Sequence, residues 1–244
     1  MARKIVITSG KGGAGKTTIA VTLAKALARS GKRTLVIDLD SALNNLDVLA
    51  GVEDKVELSL EDAVSGKCRA KQALVSVSKN FCIMESVRSE SEFSPPHSVK
   101  LLAEGFSHTF DFILFDCPAG IDRSFHRAVA CADEAIIVAN LYPASLRDAD
   151  KVINQLKSYR LKSVVCVANR VRKDLIRRGK SINERECELI LKVPIIASVP
   201  ESDDLLCYDG GDLPVLSAGA AEIKRLARRI ISEDYVSVAE NKAI

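Results

Sequence analysis

A run of nine residues near the amino terminus constrains this chain more than anything else in its 244. Gly10-Lys11-Gly12-Gly13-Ala14-Gly15-Lys16-Thr17-Thr18 satisfies the phosphate-loop pattern G-x-x-x-x-G-K-[ST]. It also has the flanks that the pattern requires. The β-branched run Lys4 to Thr8 precedes it, and a helical periodicity from Lys16 to Ser30, with Ile19, Leu23, Ala26 and Leu27 on one face and Gly31 as the stop, follows it. Glycines let the backbone curl so that successive N–H groups point at phosphate oxygens, and the helix start adds its positive end. In that frame Lys16 would hold the β- and γ-phosphates and the Thr17 hydroxyl would ligate Mg²⁺. A glycine-rich turn without a ligand is the plain alternative, and the strand–loop–helix context weighs against it.

The rest of the chain reads as alternating strands and helices. Strand-like runs fall at Thr34 to Leu39, Phe81 to Met84, Phe112 to Phe115, Ala135 to Ala139, Ser163 to Ala168 and Pro194 to Ser198. Several are apolar without alternation, as strands covered on both faces are. Leu146 to Arg160 and Gly219 to Ile231 read as helices. The expectation is an α/β fold of the P-loop NTPase class, a mostly parallel sheet with helices on both faces and ligands at the carboxyl ends of the strands. No repeat or long linker divides the chain, so residues 1–244 are expected to form a single domain. At 47% hydrophobic and 27% charged the composition is that of a globular protein, and a net charge of +3 is too mild to announce a nucleic-acid or membrane partner. The seven cysteines are odd in number and widely spaced, with no C-x-x-C pair, which reads as reduced, buried thiols in a cytoplasmic protein. With no apolar stretch of signal-peptide or membrane-spanning length, any membrane contact is expected to be peripheral.

Two further segments carry acids where such a sheet would place them. Val36-Ile37-Asp38-Leu39-Asp40 puts two carboxylates on one face at a strand's carboxyl end, near the loop. They could also simply cap the next turn. Asp111 to Ile121 reads as a Walker B strand ending in Asp116, which would hold Mg²⁺, followed by a Pro118-Ala119-Gly120 turn whose backbone could approach a γ-phosphate. Cys117 beside it reads as a small buried thiol rather than a reactive one.

The second lysine of the loop, in the order K-G-G-x-G-K-T-T, resembles the deviant Walker A motif of the MinD/ParA family of P-loop ATPases. The resemblance covers nearly the whole chain. It implies an ATP hydrolase that forms a homodimer on ATP, with Lys11 reaching across to the phosphates of the partner subunit, where a second cation would offset developing charge as an arginine finger does. A solvated loop lysine is the other reading. The resemblance further assigns Asp40 to orienting the attacking water and Asp38 to the magnesium environment. It places Asn169-Arg170 and Pro200-Glu201 at the adenine. The stretches Asp40 to Gly51, Asp116 to Ile121 and Ala132 to Asp150 look more like the septum-placing branch of the family than like the plasmid-partition branch. That branch implies a nucleotide switch in cell division, protein partners of the MinC and MinE kind, and reversible attachment to the inner face of the membrane.

One departure stands out. The septum-placing branch ends in a basic, bulky amphipathic helix, whereas here Ile231 to Ile244 is acidic and partly β-branched. Ala221 to Ile231, with Lys224, Arg225, Arg228 and Arg229, could lie on lipid, but reads more simply as a packed last helix. Six cations between Arg170 and Lys180 could meet DNA or anionic lipid, or could form a solvated face. Three functional classes therefore stand beside one another. They are the division switch, a DNA-acting ATPase of the partition or flagellar-number-regulating kind, and a metal or cluster carrier, for which the sequence offers no close cysteine pair. His97, His108 and His126 show no ligand spacing and receive no role.

Overall fold

A computed structural model describes residues 1–40, 45–86, 95–205, 213 and 217–233. Its centre is an eight-stranded sheet. In chain order the strands are β1 (Arg3–Thr8), β2 (Thr34–Asp38), β3 (Val75–Ser78), β4 (Phe81–Met84), β5 (Phe112–Asp116), β6 (Glu134–Ala139), β7 (Ser163–Val171) and β8 (Ile195–Pro200). They lie in the spatial order β3-β4-β2-β5-β1-β6-β7-β8. Every pairing is parallel except that of β3, which runs antiparallel along β4 at the edge. The strands β2, β5 and β6 are buried at every position, which explains their unbroken apolar runs.

Helices cover both faces. On one side α1 (Lys16–Arg29) packs beside α9 (Ala218–Ser232), together with the short α2 (Leu46–Ala50). On the other lie α3 (Leu60–Val64), α4 (Pro96–Gly105), α5 (Arg123–Ala130), α6 (Pro143–Leu156) and α8 (Glu184–Leu191). The remaining α7 (Lys173–Arg177) has no buried residue and follows directly on β7. Ile223, Leu226, Ala227 and Ile230 of α9 are all buried in the core. Its apolar stripe is therefore used up by packing, which decides for the packed-helix reading of Ala221 to Ile231. Of the acidic stretch Ile231 to Ile244, the first two residues close α9 and residues 234–244 lie outside the described residues. Among the described residues no helix is long and apolar enough to cross a membrane.

Several boundaries differ from the sequence reading. The structure starts α6 at Pro143 rather than Leu146, because proline at the first helical position carries no N–H that needs an intrahelical partner. It carries β7 past Ala168 to Val171, through a register irregularity against β8, with Arg170 in left-handed backbone at φ 53°.

Candidate nucleotide site

The crossovers bring the carboxyl ends of β1, β2 and β5 together. Asp38 and Asp116 are register neighbours in the β2–β5 pairing, and Ile7 of β1 pairs with Asp116 on its other side. The phosphate loop leaves β1 directly above them. Gly15 ends the loop in left-handed backbone at φ 95°, where α1 begins. A Cβ at Gly15 would sit 2.2 Å from Asn169 Nδ2, and one at Gly10 would sit 2.2 Å from the backbone carbonyl carbon of Asp148. The loop can therefore be this close to β7 and α6 only if both positions are glycine.

Beneath the loop lies a cavity of about 240 Å³. Gly12, Gly13, Gly15, Lys16, Thr17 and Thr18 form one wall. Asp38, Asp40 and Asp116 form another, with Ala119 of the turn after β5 beside them. A second cavity of about 130 Å³ shares Thr18 and Arg170 with the first and is lined by Asn169, Pro200 and Glu201. The two cavities adjoin, the first at the loop and the strand-end acids, the second at the carboxyl ends of β7 and β8. Of the loop's two lysines, Lys16 is 7% exposed, while Lys11 is solvent-exposed and lines neither cavity. Ala14 is buried and its carbonyl accepts a hydrogen bond from Asn169 Nδ2 at 2.8 Å. The amide nitrogen of Asn169 thus holds the loop, a task the sequence did not suggest. Its own backbone carbonyl accepts from Asn140 Nδ2 at 3.0 Å, and Asn140 N donates to Ser145 Oγ at 3.0 Å, so the first turn of α6 is joined to the loop by hydrogen bonds.

Electrostatically the site is a buried acid cluster facing a lysine. Burial lifts the Asp38 carboxyl well above its usual range, and the neighbouring Asp116 and Glu85 carboxylates add to the lift. Asp38 Oδ1 accepts the Asp40 N–H at 2.7 Å. Burial pushes Asp116 up to about 7 against the pull of the Thr17 hydroxyl and the Lys16 ammonium. Its Oδ1 is buried without a hydrogen-bond partner among the described residues. An orphaned carboxylate oxygen, a second carboxylate and a threonine hydroxyl are the hard oxygen donors that suit Mg²⁺.

Some lining residues escaped the sequence reading. Asn45, which precedes α2, and Leu49 of α2 line the first cavity, and Ser202, Asp203 and Leu205 line the second. Glu85, 3% exposed at the end of β4, is pushed up to about 7 by burial and by the Asp47 carboxylate. It carries the same signal as Asp38 and Asp116, an apolar strand run that ends in an acid. Of the basic cluster, Arg172 is taken by Asp174 at 2.9 Å and Glu201 at 3.3 Å, while Lys173, Arg177, Arg178 and Lys180 are exposed. Cysteines distant in sequence do meet. Cys166 of β7 and Cys187 of α8 touch in the core, where the contact and burial together drive the Cys166 thiol up. Both are wholly buried, which is no place to load or release a metal cargo.

A glycine loop between β1 and α1, with strand-end carboxylates set around its buried lysine, defines a P-loop nucleotide-binding protein. The model of the CobQ/CobB/MinD/ParA nucleotide binding domain matches residues 5–215. The septum site-determining protein MinD of Thermotoga maritima is 33% identical over 255 residues, covering 98% of this chain and 94% of that one. Among solved structures, the MinC:MinD cell division protein complex of Aquifex aeolicus superposes with a TM-score of 0.88 at 33% identity, covering 96% of this chain and 97% of that one. MinD of Pyrococcus horikoshii complexed with Mg-ADP superposes with a TM-score of 0.84 at 29% identity, covering 100% and 99%. The chain belongs to this family, on its MinD branch, and is a MinD-like ATPase of cell division.

Proposed function

We propose that the chain is an ATP-gated switch in which two copies close on each other around bound Mg·ATP, offer the closed dimer to a partner of the MinC kind, and reopen on hydrolysis. The observation that carries this reading is the contrast within one loop. Lys16 is buried against its own cavity, and Lys11 is exposed beyond it. A cation outside its own site is placed to serve another. Val48, next in sequence to the lining residue Leu49, is 42% exposed, and Ile121, two residues after the lining residue Ala119, is 47% exposed, two apolar side chains that a second copy would cover. The MinC:MinD complex supports a partner of that kind for this chain.

In the proposed cycle the loop N–H groups and Lys16 hold the β- and γ-phosphates. Asn169, Arg170, Pro200 and Glu201 flank the base. Thr17, Asp38 and Asp116 would hold Mg²⁺, which when bound offsets phosphate charge as the bond to the leaving group breaks. Asp40, on the cavity wall beside Asp38, orients the attacking water. Lys11 arrives from the partner subunit and completes the charge balance. The Gly120 N–H bonds to the Ser9 carbonyl at 3.2 Å, so the switch turn is tied to the loop's entrance and can respond to its contents.

Phosphate release and sedimentation of the Lys11→Ala and Lys16→Ala variants test this. Lys16→Ala should lose nucleotide binding. Lys11→Ala should still bind nucleotide but lose both ATP-dependent dimerisation and about 10²-fold or more of turnover. A Lys11→Ala protein that hydrolyses ATP at the unaltered rate would refute the shared site. The exposed cations between Lys173 and Lys180 favour one addition, a peripheral ATP-dependent contact with anionic lipid. Pelleting with anionic liposomes in ATP but not in ADP tests it, and salt-sensitive retention of DNA in place of lipid would move the chain to the partition type.

A further inference from the structure

Glu85 is an acid for which the nucleotide site has no use so far. It stands one residue past β4, 3% exposed, and lines neither of the two cavities. Its Oε1 is buried without a hydrogen-bond partner among the described residues, so the fold bears a cost for keeping a carboxylate there. Its place is firmly set. The β2–β4 register pairs Ile37 with Met84, which puts the next residues, Asp38 and Glu85, beside each other at the carboxyl edge of the sheet. The Glu85 carbonyl accepts the Leu60 N–H of α3 at 2.7 Å. The adjacent Ser86 hydroxyl donates to Glu61 Oε1 at 3.2 Å, and Glu61 in turn pairs with Arg127 of α5.

The side chain joins two parts of the site. It shares a hydrogen bond with the Asp38 carboxyl and accepts one from the backbone N–H of Asp47 in the first turn of α2. That helix depends on tertiary contacts, because five residues are too few to hold a helix by themselves and its N-cap residue, Asn45, makes no side-chain cap bond. Asp38 depends on them too, since a metal-binding carboxylate is aimed by the groups that hydrogen-bond to it. We propose that Glu85 is a positioning residue that fastens α2 to Asp38, holding the Asp38 carboxyl in place for Mg²⁺ and setting Leu49 of the same helix against the cavity beneath the loop. The inference rests on the reading of Asp38 as a Mg²⁺ ligand.

Calorimetric titration of Mg²⁺ into the ADP-bound full chain, and deuterium uptake of residues 45–51 in the nucleotide-free chain, read the two ends of this fastening. Glu85→Gln keeps an acceptor for the Asp47 N–H and a donor for Asp38, so both readings should stay within about twofold of the unvaried chain. Glu85→Met fills the same space with neither bond, and should weaken Mg²⁺ about tenfold and speed uptake over 45–51. Glu85→Ala, which empties the space, should do the same and takes over if circular dichroism shows that the longer side chain has not packed. Equal losses in Glu85→Gln and Glu85→Met would overturn the proposal, because charge alone would then be acting. So would an unchanged Mg²⁺ affinity or unchanged uptake in Glu85→Met. Asp38→Asn separates the two assignments. Mg²⁺ binding that Asp38→Asn leaves intact would remove Asp38 from the ligand set and overturn the proposal with it. Binding weakened by Asp38→Asn but not by Glu85→Met would overturn only the part given to Glu85.

Discussion

Asp116 keeps a carboxylate oxygen buried beside two other acids, and that arrangement has a measurable sign. Its folded pKa, pushed up to about 7 from 3.8, means that the folded chain holds this proton more tightly than the unfolded chain does. The group therefore costs nothing below about pH 4, and it destabilises the nucleotide-free fold progressively as pH rises toward 7, with the full cost above that. Asp116→Asn should raise urea stability at pH 8 by on the order of 1–3 kcal/mol and leave it unchanged at pH 4, while abolishing Mg²⁺-dependent hydrolysis. Equal stability gains at both pH values would show that the carboxylate is not under strain. Gly10 makes a different point, since the atom its Cβ would meet is backbone and cannot swing away. Gly10→Ala should cost about 1–3 kcal/mol and weaken ATP binding together, by equilibrium unfolding and by nucleotide titration. A sequence pattern reveals that a glycine stands at position 10; it does not reveal that α6 is the neighbour that requires it.

At the scale of elements, what could be read in advance was what periodicity writes. The long α1 and α9 and the fully buried strands repeat their apolar residues at the expected spacing, and they fall within a few residues of the sequence reading. The five-residue helices α2, α3 and α7 are too short for a period, so their ends define them. In α3 that end is a capping box. The Ser59 hydroxyl accepts the Asp62 N–H at 3.2 Å, and Asp62 Oδ2 accepts the Ser59 N–H at 2.9 Å. Ser59→Ala should therefore cost about 1 kcal/mol, measured as a shift in urea midpoint at constant slope. The edge strand β3 was invisible for another reason. Its four residues pair on one side only, so Val75 alone is well buried and little alternation survives. At the site, the loop and the acids at 38 and 116 were legible because local chemistry fixes them. Glu85, Asn45 and Leu49 were not: Glu85 ends an apolar run as Asp38 does, but only the strand order sets β4 beside β2 and so Glu85 near Asp38, and only packing on α1 brings α2 to the cavity.

For the molecule as a whole, strand order is the quantity that sequence leaves open, since it depends on which crossovers the helices bridge. Once set, it buries an ion pair between Arg127 of α5 and Glu61 of α3, at 3.7 Å with both side chains under a tenth exposed. Arg127→Met should cost about 3–5 kcal/mol, and adding Glu61→Gln should recover part of that loss in a double-mutant cycle. Ligand should act in the opposite direction. Mg·ADP at a hundred times its Kd should add about 2.7 kcal/mol, roughly 5–10 °C in Tm for a chain of this size, and EDTA should reverse most of it. The exposed lysine at position 11 has a last consequence. If each copy lends the other a cation, an isolated molecule is a slow enzyme, and specific activity must climb with concentration until pairs saturate. Turnover then reports crowding. Wherever such molecules gather, their own density sets how long each stays in the ATP state.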